Sequence, residues 1–280
     1  MTPPQPPNLG QLALVIGAAG LFVLGGAASL ARAWRPSNRL RLAAKSLSYW
    51  AICLALGGLV WHCLDRHSWL PLEDNFEALS ALGIMLAGFW MYVQRARPIP
   101  GLDWFLMPIV VLMLVCAAVF ATVKPNTYRP DSAWLWTHLL STFGGVLAFA
   151  IAAGGGCMYL VVSGRLRRKP ATPGPNLGSL ERLEHVTQSA VSIGFALLTV
   201  GMITGLVKVL QDPHTQLGRH WMTNPKVVLA FGVWVVYALA LHSPINPAFR
   251  GRKSAMLSIL GFVLMMLATV IAVQFMPNRQ

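Results

Sequence analysis

The sequence predicts an all-α, polytopic membrane protein of eight transmembrane helices with both termini outside. Three observations carry that reading. Of the 280 residues, 55% are hydrophobic and only 11% are charged, with a mean hydropathy of +0.58; a soluble chain carries roughly 25% charged residues. Apolar runs near the ~20 residues needed to cross a bilayer as a helix recur along the chain, and an open sheet would leave backbone groups unpaired in lipid. Lys and Arg gather in every second loop, the pattern of the positive-inside rule.

Residues 1–10 are expected to form a disordered tail. Met1 to Pro7 is proline-rich and holds no Lys or Arg, unlike the basic start of a signal peptide. The apolar runs fall at about 11–31, 45–64, 74–93, 104–123, 133–162, 185–208, 225–242 and 254–275. The fifth is too long for a ~30 Å core and should tilt or project beyond it. Residues 11–280 then form a single eight-helix domain. A flexible linker at about 163–182, with Pro170, Pro173 and Pro175, interrupts it.

Charge sets the orientation. Arg32, Arg35, Arg39, Arg41 and Lys45 lie between helices one and two, and Arg95 and Arg97 follow helix three. Arg165, Arg167, Arg168, Lys169 and Arg182 follow helix five; Arg250, Arg252 and Lys253 follow helix seven. These loops face the cytoplasm, which places the chain as a multi-pass protein of the inner (cytoplasmic) membrane. In a soluble chain the net charge of +13 would suggest nucleic acid. Here it reflects membrane topology, so lipid is the expected partner and nucleic acid is not.

Several chemistries are excluded. The four cysteines, Cys53, Cys63, Cys116 and Cys157, form no C-x-x-C, so the usual signatures of covalent c-heme, thioredoxin-type and zinc-ribbon sites are missing. Each reads as a small buried hydrophobe. There is no Walker A loop, no G-x-G-x-x-G after a strand, no H-E-x-x-H and no G-x-S-x-G. No set of acid, base and nucleophile is recognisable, so no enzyme activity is expected. Glu73, Asp74 and Glu77 begin helix three, where carboxylates suit the positive end of the dipole. No helix carries a mid-depth acid, which argues against an ion-coupled transporter. Gly144, Gly145, Gly154, Gly155 and Gly156 of helix five read as helix contacts rather than a substrate site.

The seven histidines group by depth. His62 and His67 close helix two on the outer side, and His138 lies near the outer start of helix five. His214 and His220 fall in the loop after helix six. His185 and His242 lie near the cytoplasmic face. Ionisable groups in a membrane are costly and point to function, and imidazole is a common iron ligand in heme proteins. Plain alternatives exist for most of them: interfacial polar residues at 62, 67 and 242, solvated loop residues at 214 and 220, and a headgroup contact at 185. His138 stands out because Trp134, Leu135, Trp136 and Leu139 surround it in sequence. Arg219 and Trp221 flank His220, a cation and an aromatic able to stack on a flat anionic ring, although Trp is also ordinary in interfacial belts.

Four segments in order resemble the CcsA/HemX-type cytochrome c assembly proteins. Leu180-Glu181-Arg182-Leu183 with the run Ile193 to Gly205 is similar to that family's helix before its signature loop. Leu217-Gly218-Arg219-His220-Trp221-Met222-Thr223-Asn224-Pro225-Lys226 resembles its tryptophan-rich segment. Trp234 to His242 resembles the following helix, which ends in a histidine, and Arg250 to Phe262 the last cytoplasmic turn and helix. Upstream, Leu70-Pro71-Leu72 with Phe76-Glu77-Ala78-Leu79 resembles the entry to an earlier helix.

The resemblance implies a heme-handling component of c-type cytochrome biogenesis, holding heme non-covalently and presenting it at the outer face to apocytochrome c, with a CcsB-type assembly partner. It places His138 at the outer ligand and His242 at the inner histidine, and matches Gly218, Trp221, Pro225 and Lys226 to the tryptophan-rich segment. The chain departs from the pattern at Leu217, Thr223 and Asn224, where the family has two tryptophans and an aspartate. Phe275 to Gln280 holds no histidine where a second outer ligand is expected. His220, His214 or His62 could replace it. Helix seven spans roughly 26 Å at 1.5 Å per residue, so His138 and His242 cannot share an iron. Two stations follow: an inner one at His242 with His185, and an outer one at His138 and the loop, where Arg219 or Lys226 would pair with propionates and Trp221 would cover a porphyrin face. The alternative is a HemX-like membrane regulator or scaffold of tetrapyrrole synthesis without stable heme.

Overall fold

The computed structural model describes residues 6–35, 37–67, 74–96, 98–121, 133–168, 179–211, 225–242 and 251–274; the side chains of 33, 34, 208–211, 225, 226 and 269–274 are not described. Eight α-helices are found among these residues, and no strand. They are α1 (Leu9–Trp34), α2 (Asn38–Asp65), α3 (Asn75–Ala96), α4 (Asp103–Phe120), α5 (Ala133–Arg168), α6 (Leu180–Gln211), α7 (Pro225–Leu241) and α8 (Arg252–Gln274). Helices α1 to α6 are long and apolar enough to cross a membrane, while the apolar stretch of α7, Val227–Leu241, is shorter.

Helix ends depart from expectation where basic residues lie. α2 opens at Asn38 rather than near 45, and Arg39, Arg41 and Lys45 are exposed on its first turns. Long cationic side chains carry their charge to water while the backbone stays helical. Residues 163–168, expected in the linker, continue α5, and the linker's last residues open α6 at Leu180. Arg165, Arg167 and Arg168 in the last turn of α5 suit the negative end of its dipole. At 36 residues, α5 is about 54 Å long, well beyond the hydrocarbon core.

The chain divides into two compact units, one holding α1–α4 and the other α5–α8. Within each, consecutive helices run antiparallel and the first packs on the fourth. The basic residues named above collect at one end of each unit, called here its basic end.

Small residues at heptad-like spacing build the first unit. Ala44, Ser48, Ala51, Ala55, Gly58 and His62 are the buried face of α2. A Cβ on Gly58 would stand 3.2 Å from Val15 Cγ2 and 3.3 Å from the Gln11 carbonyl, so α1 and α2 approach backbone to side chain. In lipid such contacts replace the hydrophobic effect as the source of helix association. Phe22, Phe76, Leu86, Leu106 and Met113 fill the centre. At the basic end Asp103 is buried, accepting from Ser29 Oγ, which in turn accepts from Trp104 Nε1 at 3.2 Å. Cys53, expected to be buried, is exposed on α2 because it lies off the small-residue face.

The second unit uses the same device. Thr187, Val191, Gly194, Leu198 and Gly201 follow one another every three or four residues along α6 and are buried. Gly194 lies under Phe149 of α5, with a Cβ there 2.6 Å from the ring, and Gly261 of α8 lies equally close to Tyr237 of α7. Phe149 and Tyr237 stack with centroids 3.5 Å apart, and Tyr237 Oη donates to the Ser258 carbonyl at 3.1 Å. The α5 glycines are contact points: a Cβ on Gly155 would meet Thr187 Oγ1, and one on Gly156 the Ala255 carbonyl at 2.9 Å. Gly194→Val should therefore destabilise the protein by about 1–3 kcal/mol, the cost of overpacking, whereas Gly20→Ala, with nothing within 4 Å, should leave stability unchanged or raise it by up to about 1 kcal/mol. Melting curves in detergent that coincide for the two variants would refute this packing.

Candidate functional site

His138 lies in the second turn of α5, half-buried, at the end of the second unit opposite its basic end. Its Nδ1 is 2.7 Å from the Gly201 carbonyl of α6. A carbonyl only accepts, so Nδ1 carries the proton and the lone pair resides on Nε2. The ring rests on Gly205: a Cβ there would stand 2.9 Å from Cε1. Thr204 Oγ1 donates to the same Gly201 carbonyl at 3.1 Å and to that of Val200 at 2.7 Å.

His242 sits in the turn that closes α7, exposed, at the basic end. Its Nδ1 donates to the Ala238 carbonyl at 2.7 Å, which again leaves the lone pair on Nε2. Gln188 of α6 donates to the Leu241 carbonyl at 3.3 Å, so the end of α7 is tied to α6 one turn from His185, which is exposed. From the level of Gln188 to that of Gly201 the axis of α6 rises about 20 Å. His185 and His242 thus share one end and His138 occupies the other. Between them Trp234 leans on Phe195 (5.2 Å) and Phe231 (6.0 Å) and donates from Nε1 to Thr199 Oγ1 at 3.0 Å. Gly218, Arg219, His220, Trp221 and His214 lie outside the described residues; Lys226 is in the first turn of α7, with its side chain outside them.

One cluster escapes the reading of the sequence. At the end of the first unit away from its basic residues, His62 is 1% exposed and Glu77 is fully buried. His62 Nε2 is 3.1 Å from Asp74 Oδ2 and 3.7 Å from Glu77 Oε1, and Arg66 Nη1 donates to both oxygens at 2.8 and 3.0 Å. His62 Nδ1 faces Gln11 Oε1 at 3.0 Å, and the Gln11 amide is itself fixed by the Asn8 N–H and by Asp65. Asp74 performs the expected cap, accepting from the Glu77 N–H at 2.7 Å, but Glu77 is an ion-pair partner. The ligand atoms of His62, Asp74 and Glu77 lie within 4.8 Å of one another, close enough for a metal ion. The Arg66 guanidinium already brings positive charge to both carboxylates, so the cluster reads as a charge-paired clamp on the ends of α1, α2 and α3. Its signal in the sequence is His62 falling in phase with the small residues of α2, with Arg66 one turn later.

Eight helices among the described residues, in two four-helix units each basic at one end and six of them long and apolar enough to cross a membrane, define a polytopic helical membrane protein with histidines at both ends of one unit. Residues 41–277 match the cytochrome C assembly protein family. The chain belongs to that family. Cytochrome c biogenesis protein CcsA of Microcystis aeruginosa is 26% identical, with 93% of this chain and 83% of that protein aligned. CcsA of Oryza sativa is 36% identical over 85 residues, 30% of this chain but only 25% of its own length. Among solved structures, cytochrome c heme lyase CcmF shares the fold, with a TM-score of 0.64 at 17% identity over 95% of this chain and 47% of that one.

The clamp makes stability depend on acid. Burial pushes the Asp74 carboxyl up, but the His62 hydrogen bond, the Glu77 N–H and the charges of His62 and Arg66 outweigh it and hold the group below its ordinary 3.8. A lowered carboxyl contributes stability above the unfolded value and loses it as pH falls through the folded one. Asp74→Asn should therefore melt well below the parent at pH 7, by the ~3–5 kcal/mol typical of a broken buried pair, and the gap should narrow below pH 3.8. A gap of equal size at pH 7 and pH 3 would contradict the clamp.

Proposed function

We propose that the protein is a membrane heme-handling component of c-type cytochrome biogenesis, which binds heme non-covalently and presents it at the outer face. The basic ends face the cytoplasm, both termini face outward, and His138 stands at the outer end of its unit. The observation that carries the reading is the Nδ1–H···O=C bond of His138. Histidines that ligate metals almost always donate their other ring N–H to a carbonyl, carboxylate or water, which fixes the ring and raises its basicity. His138 meets that description in a member of the cytochrome C assembly protein family, and His242 has the same bond within its own helix.

Heme, the cargo, supplies an iron whose axial positions take imidazole nitrogen. The chain holds and orients it. His242 with His185 forms the inner station and His138 the outer one. Around the outer station Arg219 or Lys226 pairs with propionates, Trp221 covers one face, and Gly218 and His220 complete the loop. Apocytochrome c and a CcsB-type protein are the partners, and the inner membrane is the location. The names of the CcsA relatives support this role. CcmF is named a heme lyase; for this chain we assign holding and presentation, the roles that oriented histidines can perform. The departures at Leu217, Thr223 and Asn224 favour a second reading, a HemX-like regulator of tetrapyrrole synthesis without stable heme.

An absorption spectrum of the detergent-purified protein, oxidised and reduced, separates the two. The first reading expects a Soret band that weakens in His138→Ala and in His242→Ala and is lost in the double variant, while His67→Ala, in an exposed turn, leaves it unchanged. A band unaltered in both single variants would remove the two histidines as ligands. Its absence from the parent, with heme-biosynthesis enzymes co-purifying, would favour the regulator.

A further inference from the structure

The contact between α5 and α6 holds a feature that packing does not require. Gly201 and Gly205 form a G-x-x-x-G pair, a spacing that commonly lets two helix backbones approach. Gly201 serves that purpose: a Cβ there would stand 3.0 Å from Thr142 Oγ1 and 3.2 Å from Ser141 Oγ. Gly205 faces something else. The nearest atoms to a Cβ at 205 all belong to the His138 imidazole, with Cε1 at 2.9 Å, Nδ1 at 3.1 Å and Nε2 at 3.8 Å. Glycine inside a helix costs about 1 kcal/mol relative to alanine, and here the space it opens is filled by an imidazole ring. One turn away, the Gly201 carbonyl accepts the ring's N–H at 2.7 Å, and the buried Thr204 hydroxyl shares that carbonyl at 3.1 Å.

We propose that Gly201, Thr204 and Gly205 form an imidazole seat, with Gly205 a positioning residue that sets which nitrogen of His138 is directed to heme iron. The inference rests on the heme reading above and adds to it. The ring cannot move off Gly205 and keep its N–H on the carbonyl, because the nearest ring atoms to Gly205 include the nitrogen that donates. A side chain at 205 therefore presses on the donating side of the ring, at Cε1 and Nδ1, and comes only to ordinary contact distance, 3.8 Å, of Nε2. Outer-layer partners of this kind typically hold 10–100-fold in affinity.

The test uses the full chain carrying His242→Ala, so that the Soret band reports the outer station alone, with ferric protoporphyrin IX as the titrant. Gly205→Ala should weaken its binding about 10–100-fold. His138→Gly should lose the band, and added imidazole should restore it by occupying the vacated place on Gly205 and donating to the Gly201 carbonyl. His138→Gly with Gly205→Val fills that place, and imidazole should not restore the band. The paired small and large substitutions offset each other in volume, and a melting temperature equal to that of His138→Gly checks that the double variant folds. Equal rescue of both variants would overturn the seat while leaving His138 as a ligand. A band that survives His138→Gly would remove His138 as the outer ligand, and the seat with it, whereas the absence of a band from the His242→Ala parent would overturn the outer station itself.

Discussion

In lipid, every polar group must find its partner inside the protein. An imidazole set half-buried on a membrane helix meets that demand here through a backbone carbonyl of the neighbouring helix. The carbonyl is reachable because α6 presents glycine where other residues would hold the helices apart. Gly194, Gly201 and Gly205 bring α6 onto Phe149, Thr142 and His138 of α5. The orientation of His138 is therefore a product of helix packing. Change the packing and the same histidine would point elsewhere, with its proton on whichever nitrogen the new surroundings chose.

The two units treat ionisable groups differently. In the first, His62, Arg66, Asp74 and Glu77 are one another's partners in a nearly water-free cluster. Such a network adds little net stability compared with an apolar core, and its partners cannot be removed singly without a large penalty. It fixes where three helices end. In the second, His138 and His242 each commit one ring nitrogen to a backbone carbonyl. One arrangement engages both ring nitrogens of a histidine between side chains; the other sets the ring through Nδ1 and a backbone carbonyl.

Much of the fold was legible in the sequence. Apolar runs separated by loops of alternating charge marked all eight helices, because bilayer thickness imposes a length that composition reveals. Helix ends were less legible: α5 and α2 run on through arginines that the hydropathy pattern excludes, since a helix may continue into water once its backbone bonds are made. Cys53 shows the matching limit, because apolar surroundings in sequence do not say which face of a helix meets protein and which meets lipid. His138 could be singled out from its apolar neighbours, yet its partner Gly201 lies 63 residues away and could not. Glu77 looked like a cap until Arg66 and His62 were seen across the helix ends. The family resemblance carried through, although the tryptophan-rich segment on which much of it turns lies, up to Asn224, outside the described residues.

The central claim is that α6 fixes the protonation pattern of the His138 ring. Solid-state NMR of protein labelled with 15N in the histidine rings, with the His138 signals assigned by their loss in His138→Gln, reads that pattern directly at neutral pH before any heme is added. The account predicts a hydrogen-bonded, protonated Nδ1. A ring protonated at Nε2 alone would contradict it.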